Sequence, residues 1–393
     1  AAYSTRNESS SCGLGKTTMS KLEVQMKKAF SLIFAFVMIL SLSACQTREL
    51  SANVTAYYVV YSGLSDSKGR VEGIDVDGNA TAIHDIDAIN ISKGSLVGES
   101  FIAGGHRANN HLIMQKDGSF EEFYLLDNPQ YSGVWGITLE GGNIVSVMNG
   151  NVDDEKNVYL NLLVIQDMEH NVLAKKEIDI TPDSLLVDGD FLYMAGCFWQ
   201  YDTNPIYCGA SIARYNMKTG EYEERHFPYN PEKVTATSYT SLAKHGDYLY
   251  CTVRESLMDK EATDRQEKID IIDGKMFELV DSLPFDQEIS EIHFVDDDLY
   301  LIVANKLCKY DMDTRIATEL YTLSENMSVE SSLSGNGHIY YYVRCNPALK
   351  AEKMLNIGYI IDFNTADESV KGTPLTTDAK NTESIVFFPL DKS

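Results

Sequence analysis

The side chains with chemistry to offer in this chain fall into a few short groupings. His106 and His111 bracket the run His106-Arg107-Ala108-Asn109-Asn110-His111. Two imidazoles so placed could begin a metal site, but no carboxylate accompanies them, and the run is better explained as a polar hairpin. Arg254 and Arg344 form a second group, since two guanidinium forks can clamp a carboxylate or sulfate bidentately; in so acidic a chain each can equally pair with a neighbour such as Glu255. The third is Phe198-Trp199-Gln200-Tyr201, where aromatic faces beside polar groups suit a sugar ring, an apolar peptide side chain or plain loop packing. Cys197 and Cys208 flank that stretch, and a disulfide between neighbouring strand ends is geometrically open to them.

Other signals dissolve on inspection. Asp75-Val76-Asp77-Gly78-Asn79 has the flavour of a calcium loop but lacks the later bidentate glutamate. Gly13-Leu14-Gly15-Lys16-Thr17 resembles the end of a phosphate-binding loop, yet Ser10 stands where the first glycine is needed. The chain contains neither an activated serine in GxSxG nor an HExxH helix, and its many carboxylates form no recognisable catalytic frame. No CxxC or Cys/His spacing points to zinc. Neither a metal nor a cofactor is therefore expected, and no catalytic residue is assigned.

The elements that must position these groups are strands. Short β-branched and aromatic runs recur between Gly, Asn and Asp turns, with almost no amphipathic helix. One repeating unit is an apolar residue, a polar turn and a strand, as at Tyr215-Asn216-Met217-Lys218-Thr219-Gly220 and Tyr310-Asp311-Met312-Asp313-Thr314, with similar turns after Ile74, Met114, Ile165, Ile271 and Ile361. A second, an acidic or glycine turn before a strand, appears at Gly189-Asp190-Phe191, Gly246-Asp247-Tyr248 and Asp297-Asp298-Leu299. Asp, Asn and Gly suit both because tight hairpins need positive φ or a side chain that caps its own backbone.

The two series interleave seven times at about 50 residues per unit, the period of a four-stranded propeller blade. The last apolar stretch, Glu383 to Leu390, has no blade of its own, while the unit from Asn53 lacks an inner strand. The expected fold is thus all-β, a seven-bladed propeller closed by pairing of its terminal strands, with six or eight blades as the alternatives. In that register the long connections between second and third strands share one rim. His106, Arg107, Phe198, Trp199, Tyr201, Arg254 and Arg344 all fall near it, and rim loops on a rigid scaffold are where binding concentrates.

Charge and an apolar segment near the start of the chain bound the setting. With 33 basic and 58 acidic residues the net charge is −25, a surface that repels nucleic acid and anionic lipid headgroups. Lys27 and Lys28 precede the apolar run Ala29 to Leu42, which is shorter than the roughly 20 residues of a membrane span. It ends in Leu42-Ser43-Ala44-Cys45, similar to the lipobox at which a signal peptide is cleaved and the cysteine acylated, with palmitate-type chains. Residues 26–44 are then a lipoprotein signal peptide, 45–53 a lipidated cysteine and its tether, and 54–393 a single propeller domain. Residues 1–25 are read as an upstream extension, because codons for Leu22-Glu23-Val24 can carry a ribosome-binding core just ahead of Met26.

On the lipobox and the blade-like repeats the chain resembles bacterial envelope lipoproteins with β-propeller domains. The resemblance is one of architecture, so no functional residue is carried over. It implies a protein held at the extracytoplasmic face of the cell membrane through Cys45, acting as a non-enzymatic binding or scaffold module for a protein or glycan. The alternative is an extracytoplasmic hydrolase or lyase at the channel mouth. An enzyme would gather acids or histidines at one mouth, and a binding module would present an aromatic rim.

Overall fold

Asp and Asn side chains make the corners of this fold. In the computed structural model Asn216 Oδ1 accepts from the amides of Lys218 and Thr219, both at 3.0 Å, and Asp311 Oδ1 from those of Asp313 and Thr314, both at 2.9 Å. The same cap closes the turns at Asp75, Asp117, Asp167, Asp273 and Asn364, so each hairpin expected from the first repeat is formed. The structure describes residues 50–390 except 64–67, 89, 108, 127–132, 202–206, 228–233, 258–266, 325–326, 346–355, 378 and 380–381. The segments 1–25 and 26–44, Cys45 and most of the tether lie outside the described residues.

Among the described residues twenty-eight strands form seven blades of four. Blade 1 contains β1 (Tyr57–Ser62), β2 (Gly69–Ile74) and β3 (Ala80–Ile86). Blade 2 is β4 (Ile91–Val97), β5 (Ser100–Gly105), β6 (Asn110–Gln115) and β7 (Phe120–Tyr124). Blade 3 is β8 (Val134–Glu140), β9 (Asn143–Asp153), β10 (Val158–Asp167) and β11 (Val172–Ile178). Blade 4 is β12 (Ile180–Asp188), β13 (Phe191–Gln200), β14 (Tyr207–Asn216) and β15 (Tyr222–His226). Blade 5 is β16 (Val234–His245), β17 (Tyr248–Leu257), β18 (Glu267–Asp273) and β19 (Leu279–Phe285). Blade 6 is β20 (Ile289–Val295), β21 (Asp298–Val303), β22 (Lys306–Asp311) and β23 (Ile316–Thr322). Blade 7 is β24 (Met327–Gly335), β25 (His338–Cys345), β26 (Asn356–Asn364) and β27 (Val370–Thr376), and β28 (Ser384–Pro389) completes blade 1. No helix among the described residues is long and apolar enough to cross a membrane.

Closure follows the expected design. β28 lies antiparallel to β1, with Tyr57 opposite Pro389, Val59 opposite Phe387 and Ser62 opposite Ser384. The seam is reinforced farther out, where Thr373 and Thr376 donate to the carbonyls of Val76 and Gly78 at 3.1 and 3.3 Å and Thr377 donates to Glu72 at 2.7 Å. Gly78 turns there with φ of 83°, and a Cβ on it would fall 2.1 Å from the Pro374 carbonyl oxygen, so the close approach of the first and last blades requires glycine.

The second strand of each blade explains why sequence alternation is faint. In β1 every residue is buried, and β5 and β21 are buried from their second residue on, because neighbouring blades cover both faces. Seven apolar clusters result, each shared by two adjacent blades: Phe101 and Phe388 belong to the one between blades 1 and 2, Tyr239 and Phe277 to that between 4 and 5, and Tyr341 and Phe363 to that between 6 and 7. Blades 3 and 4 are joined further, since Val158 of β10 pairs with Gln200 of β13 and fuses them into one eight-stranded sheet.

Candidate functional site

Inner strands from all seven blades converge on one cavity of about 230 Å³ along the ring axis. Its wall is rich in hydroxyls, from Ser92, Ser95, Ser184, Thr240, Ser331 and Ser332, with Lys93, Asp183, Glu291 and Glu330 as charged members and Trp135 as an aromatic one. Inner strands can carry such residues because their axial faces have no neighbouring sheet to pack on.

Several of these groups are locked to one another. Ser238 donates to Asp183 Oδ2 at 2.9 Å, and Lys93 reaches across from blade 2 to the Asp183 carbonyl at 3.3 Å. Ser241 donates to Glu291 Oε2 at 3.1 Å, while the Ser332 hydroxyl lies 2.7 Å from His293 Nε2. Burial pushes the Glu291 carboxyl up to about 7, against the opposing pull of Ser241, Lys93 and Ser332. Burial also lowers His293 to about 4, so its ring is neutral at physiological pH. The channel therefore offers acceptors, hydroxyls that give and take hydrogen bonds, one ammonium and one acid poised near neutrality.

The residues singled out from sequence are distributed around this channel and do not form one cluster. His106 packs edge-on against Trp135, ring centroids 4.5 Å apart, with Nδ1 3.2 Å from the Val134 carbonyl, and burial lowers its pKa. Trp135 is fixed at its other end by a 2.9 Å hydrogen bond from Nε1 to Asn161 Oδ1. His106 thus supports a channel-wall aromatic. His111 is fully buried and accepts from the Gly105 amide at 3.2 Å. Arg107 is exposed.

Arg344 is committed to the seam. Its guanidinium donates to the carbonyls of Thr382 and Glu383, at 3.3 and 3.1 Å, and lies 3.7 Å from Glu330. Arg254 is exposed on β17, opposite Ser238 of β16. Through the two carbonyls Arg344 anchors the segment leading into β28.

The aromatic stretch belongs to the ladder. Phe198, Trp199 and Tyr201 are each half-buried, Phe198 packs on His226 with centroids 4.2 Å apart, and the Tyr201 amide donates to Asn157 at 2.8 Å. Cys197 and Cys208, the pair for which the sequence allows a disulfide, are both buried, free thiols in this structure. They do not stand at strand ends, because β13 and β14 run on to Gln200 and Tyr207; the ladder sets Cys197 opposite Ala210 and Cys208 opposite Trp199. A hydrogen bond with the Cys197 thiol, and then burial, push the Cys208 thiol far up. The tips of the three longest expected rim loops, 202–206, 258–266 and 346–355, lie outside the described residues.

Lys93, Asp183 and Glu291 lie on first strands, away from the loops after second strands that the repeat pattern marks for binding. The available signal was charge inside a first strand, as in Ser92-Lys93-Gly94-Ser95, Pro182-Asp183-Ser184 and Ser290-Glu291-Ile292-His293.

The strand topology makes this chain a seven-bladed β-propeller. No protein-family model matches it and no curated protein is similar to it. Among solved structures it is similar to apo AztD from Citrobacter koseri, at 12% identity and a TM-score of 0.48 over 85% of this chain and 98% of that one. It is also similar to virginiamycin B lyase from Staphylococcus aureus, at 15% identity and 0.45 over 82% and 90%. A third, the computationally designed Ika8 protein, gives 13% identity and 0.46 over 83% and 98%.

Proposed function

We propose that the protein is a lipid-anchored, extracytoplasmic binding module whose channel receives one sugar-sized, hydroxyl-rich unit of an envelope glycan. In this reading residues 26–44 are removed, acylated Cys45 holds the propeller at the outer face of the cell membrane, and the acidic surface keeps nucleic acid away. The carrying observation is the channel wall itself: six hydroxyls with Lys93, Asp183 and Glu291 around a void of about 230 Å³ and a Trp135 face. Hydroxyl pairs and carboxylates are the partners sugars use, and an aromatic face suits a pyranose ring. The void is below the roughly 300–1,000 Å³ typical of drug-sized sites, which favours a single residue over an oligosaccharide.

Titration of the full chain with neutral and amino monosaccharides, followed by melting temperature, tests this. A sugar that raises the melt, and fails to do so with Asp183→Asn, supports the reading; no shift with any sugar discards it. A second reading, glycan hydrolysis or elimination, draws on Glu291, whose carboxyl near 7 lies in the range a general acid needs. Cleavage of a bound oligosaccharide that is lost in Glu291→Gln, with binding retained, would favour it.

A further inference from the structure

Away from the channel, at the contact of blades 3 and 4, three side chains that can ligate a metal meet. Asp179 is the single residue between β11 and β12, and Glu224 and His226 stand two apart on the outer strand β15, so both project from one face of it. One ligand atom from each lies within 4.8 Å of the others. The imidazole presents Nδ1 to Glu224 Oε1 at 3.5 Å.

The glutamate is the informative member. Its side chain is only 7% exposed, Oε2 accepts the Tyr222 hydroxyl proton, and Oε1 has no hydrogen-bond partner while facing the other two groups. A buried acceptor left unpaired costs about 1–3 kcal/mol, so natural structures keep few of them without a reason. Here an acceptor, a second carboxylate and an imidazole face a common point. The Phe198 ring packs on the imidazole at 4.2 Å and the Lys176 ammonium covers the Tyr222 ring at 5.5 Å, contacts that hold the group in place; Ser211 Oγ lies 2.7 Å from His226 Nδ1, so that hydroxyl gives way when the nitrogen ligates an ion.

We propose that Asp179, Glu224 and His226 bind a divalent first-row transition metal of the zinc class, tying β15 of blade 4 to the end of β11. Two carboxylate oxygens and one imidazole nitrogen are a donor set that zinc accepts, and three protein ligands leave a fourth position for water or an incoming group. Magnesium and calcium, which prefer all-oxygen shells of six or more, fit it poorly. The competing occupant is a proton. Burial and the Asp179 carboxyl push Glu224 up to about 9, so one proton shared by the two acids would also relieve the site.

The test is zinc titration of the full chain, purified through chelator, by calorimetry and melting temperature, with cobalt(II) as the spectroscopic substitute. The expected result is one zinc per chain, a raised melt reversed by chelator, and cobalt d–d bands without thiolate charge transfer. Glu224→Gln and His226→Ala should each weaken binding by more than the roughly 10–100-fold typical of losing an outer-shell partner. Circular dichroism of both metal-free variants checks folding, and Asp179→Asn replaces either one that fails. No zinc binding by the wild type, binding unchanged in the folded variants, an equal effect of magnesium or calcium, or a thiolate band from Cys197 or Cys208 would each overturn the proposal.

Discussion

Ser241 of β16 donates its hydroxyl to Glu291 of β20 across 3.1 Å, linking the inner strands of blades 5 and 6 at the channel wall. That bond is outweighed by burial, which raises the carboxyl from 4.5 to about 7. The folded state therefore holds a proton that the unfolded chain releases at lower pH. The resulting stability is fully present below about 4.5 and is lost as pH rises through about 7. Glu291→Gln, which cannot titrate, should be more stable than wild type at pH 8 and lose that advantage at pH 4.5. Urea midpoints of both proteins across this range check the prediction, and parallel profiles would refute it.

Asp75 behaves in the opposite sense. Burial works to raise its pKa, but hydrogen bonds from Asn53, the Asn79 amide and Ser51 win and hold it down to about 2. Its contribution is present above 3.8 and is lost as pH falls through about 2. Asp75→Ala removes the acceptor for Ser51 Oγ at 2.9 Å, Asn53 Nδ2 at 2.8 Å and the amides of Asp77 and Asn79. A loss of about 1–3 kcal/mol is expected at pH 7, shrinking in acid. Denaturant unfolding at pH 7 and 2.5 measures both.

Phe388 stacks on Phe101 with centroids 5.6 Å apart and planes 11° from parallel, and it is 2% exposed. Phe388→Ala should cost about 3–5 kcal/mol, the range for a buried phenylalanine. Removing residues 382–393 should lower the melting temperature more, since it deletes the whole of β28 and its pairing with β1. An unchanged melt in the truncated chain would mean that the ring does not depend on this seam.

Hairpin chemistry made much of the fold legible. Asn216 and Asp311 announce their turns because a side-chain cap is a local event, and Gly189 and Gly246, both with φ of 58°, mark tight corners at the opposite ends of the strands. The surplus strand at Ser384–Pro389 discloses the closure for the opposite reason: a strand with no local partner must find a distant one. The channel was far less legible. Lys93, Asp183 and Glu291 come from three blades, and each alone is an ordinary polar residue in a strand; only the ring brings them to one axis. Cys197 and Cys208 read as a pair bracketing a loop, whereas the ladder continues three residues past Cys197 to Gln200. The acceptors of Arg344, the Thr382 and Glu383 carbonyls, are backbone atoms with no signature in a sequence.

The pairing of β1 with β28 also sets an order on biosynthesis. The first blade to leave the ribosome is the last to be finished, and the free edge of β1 waits through almost the whole of translation for its neighbour. A message cut short anywhere upstream of Ser384 yields a chain with an unsatisfied sheet edge at its start, which is the kind of nascent product that self-associates or draws quality control.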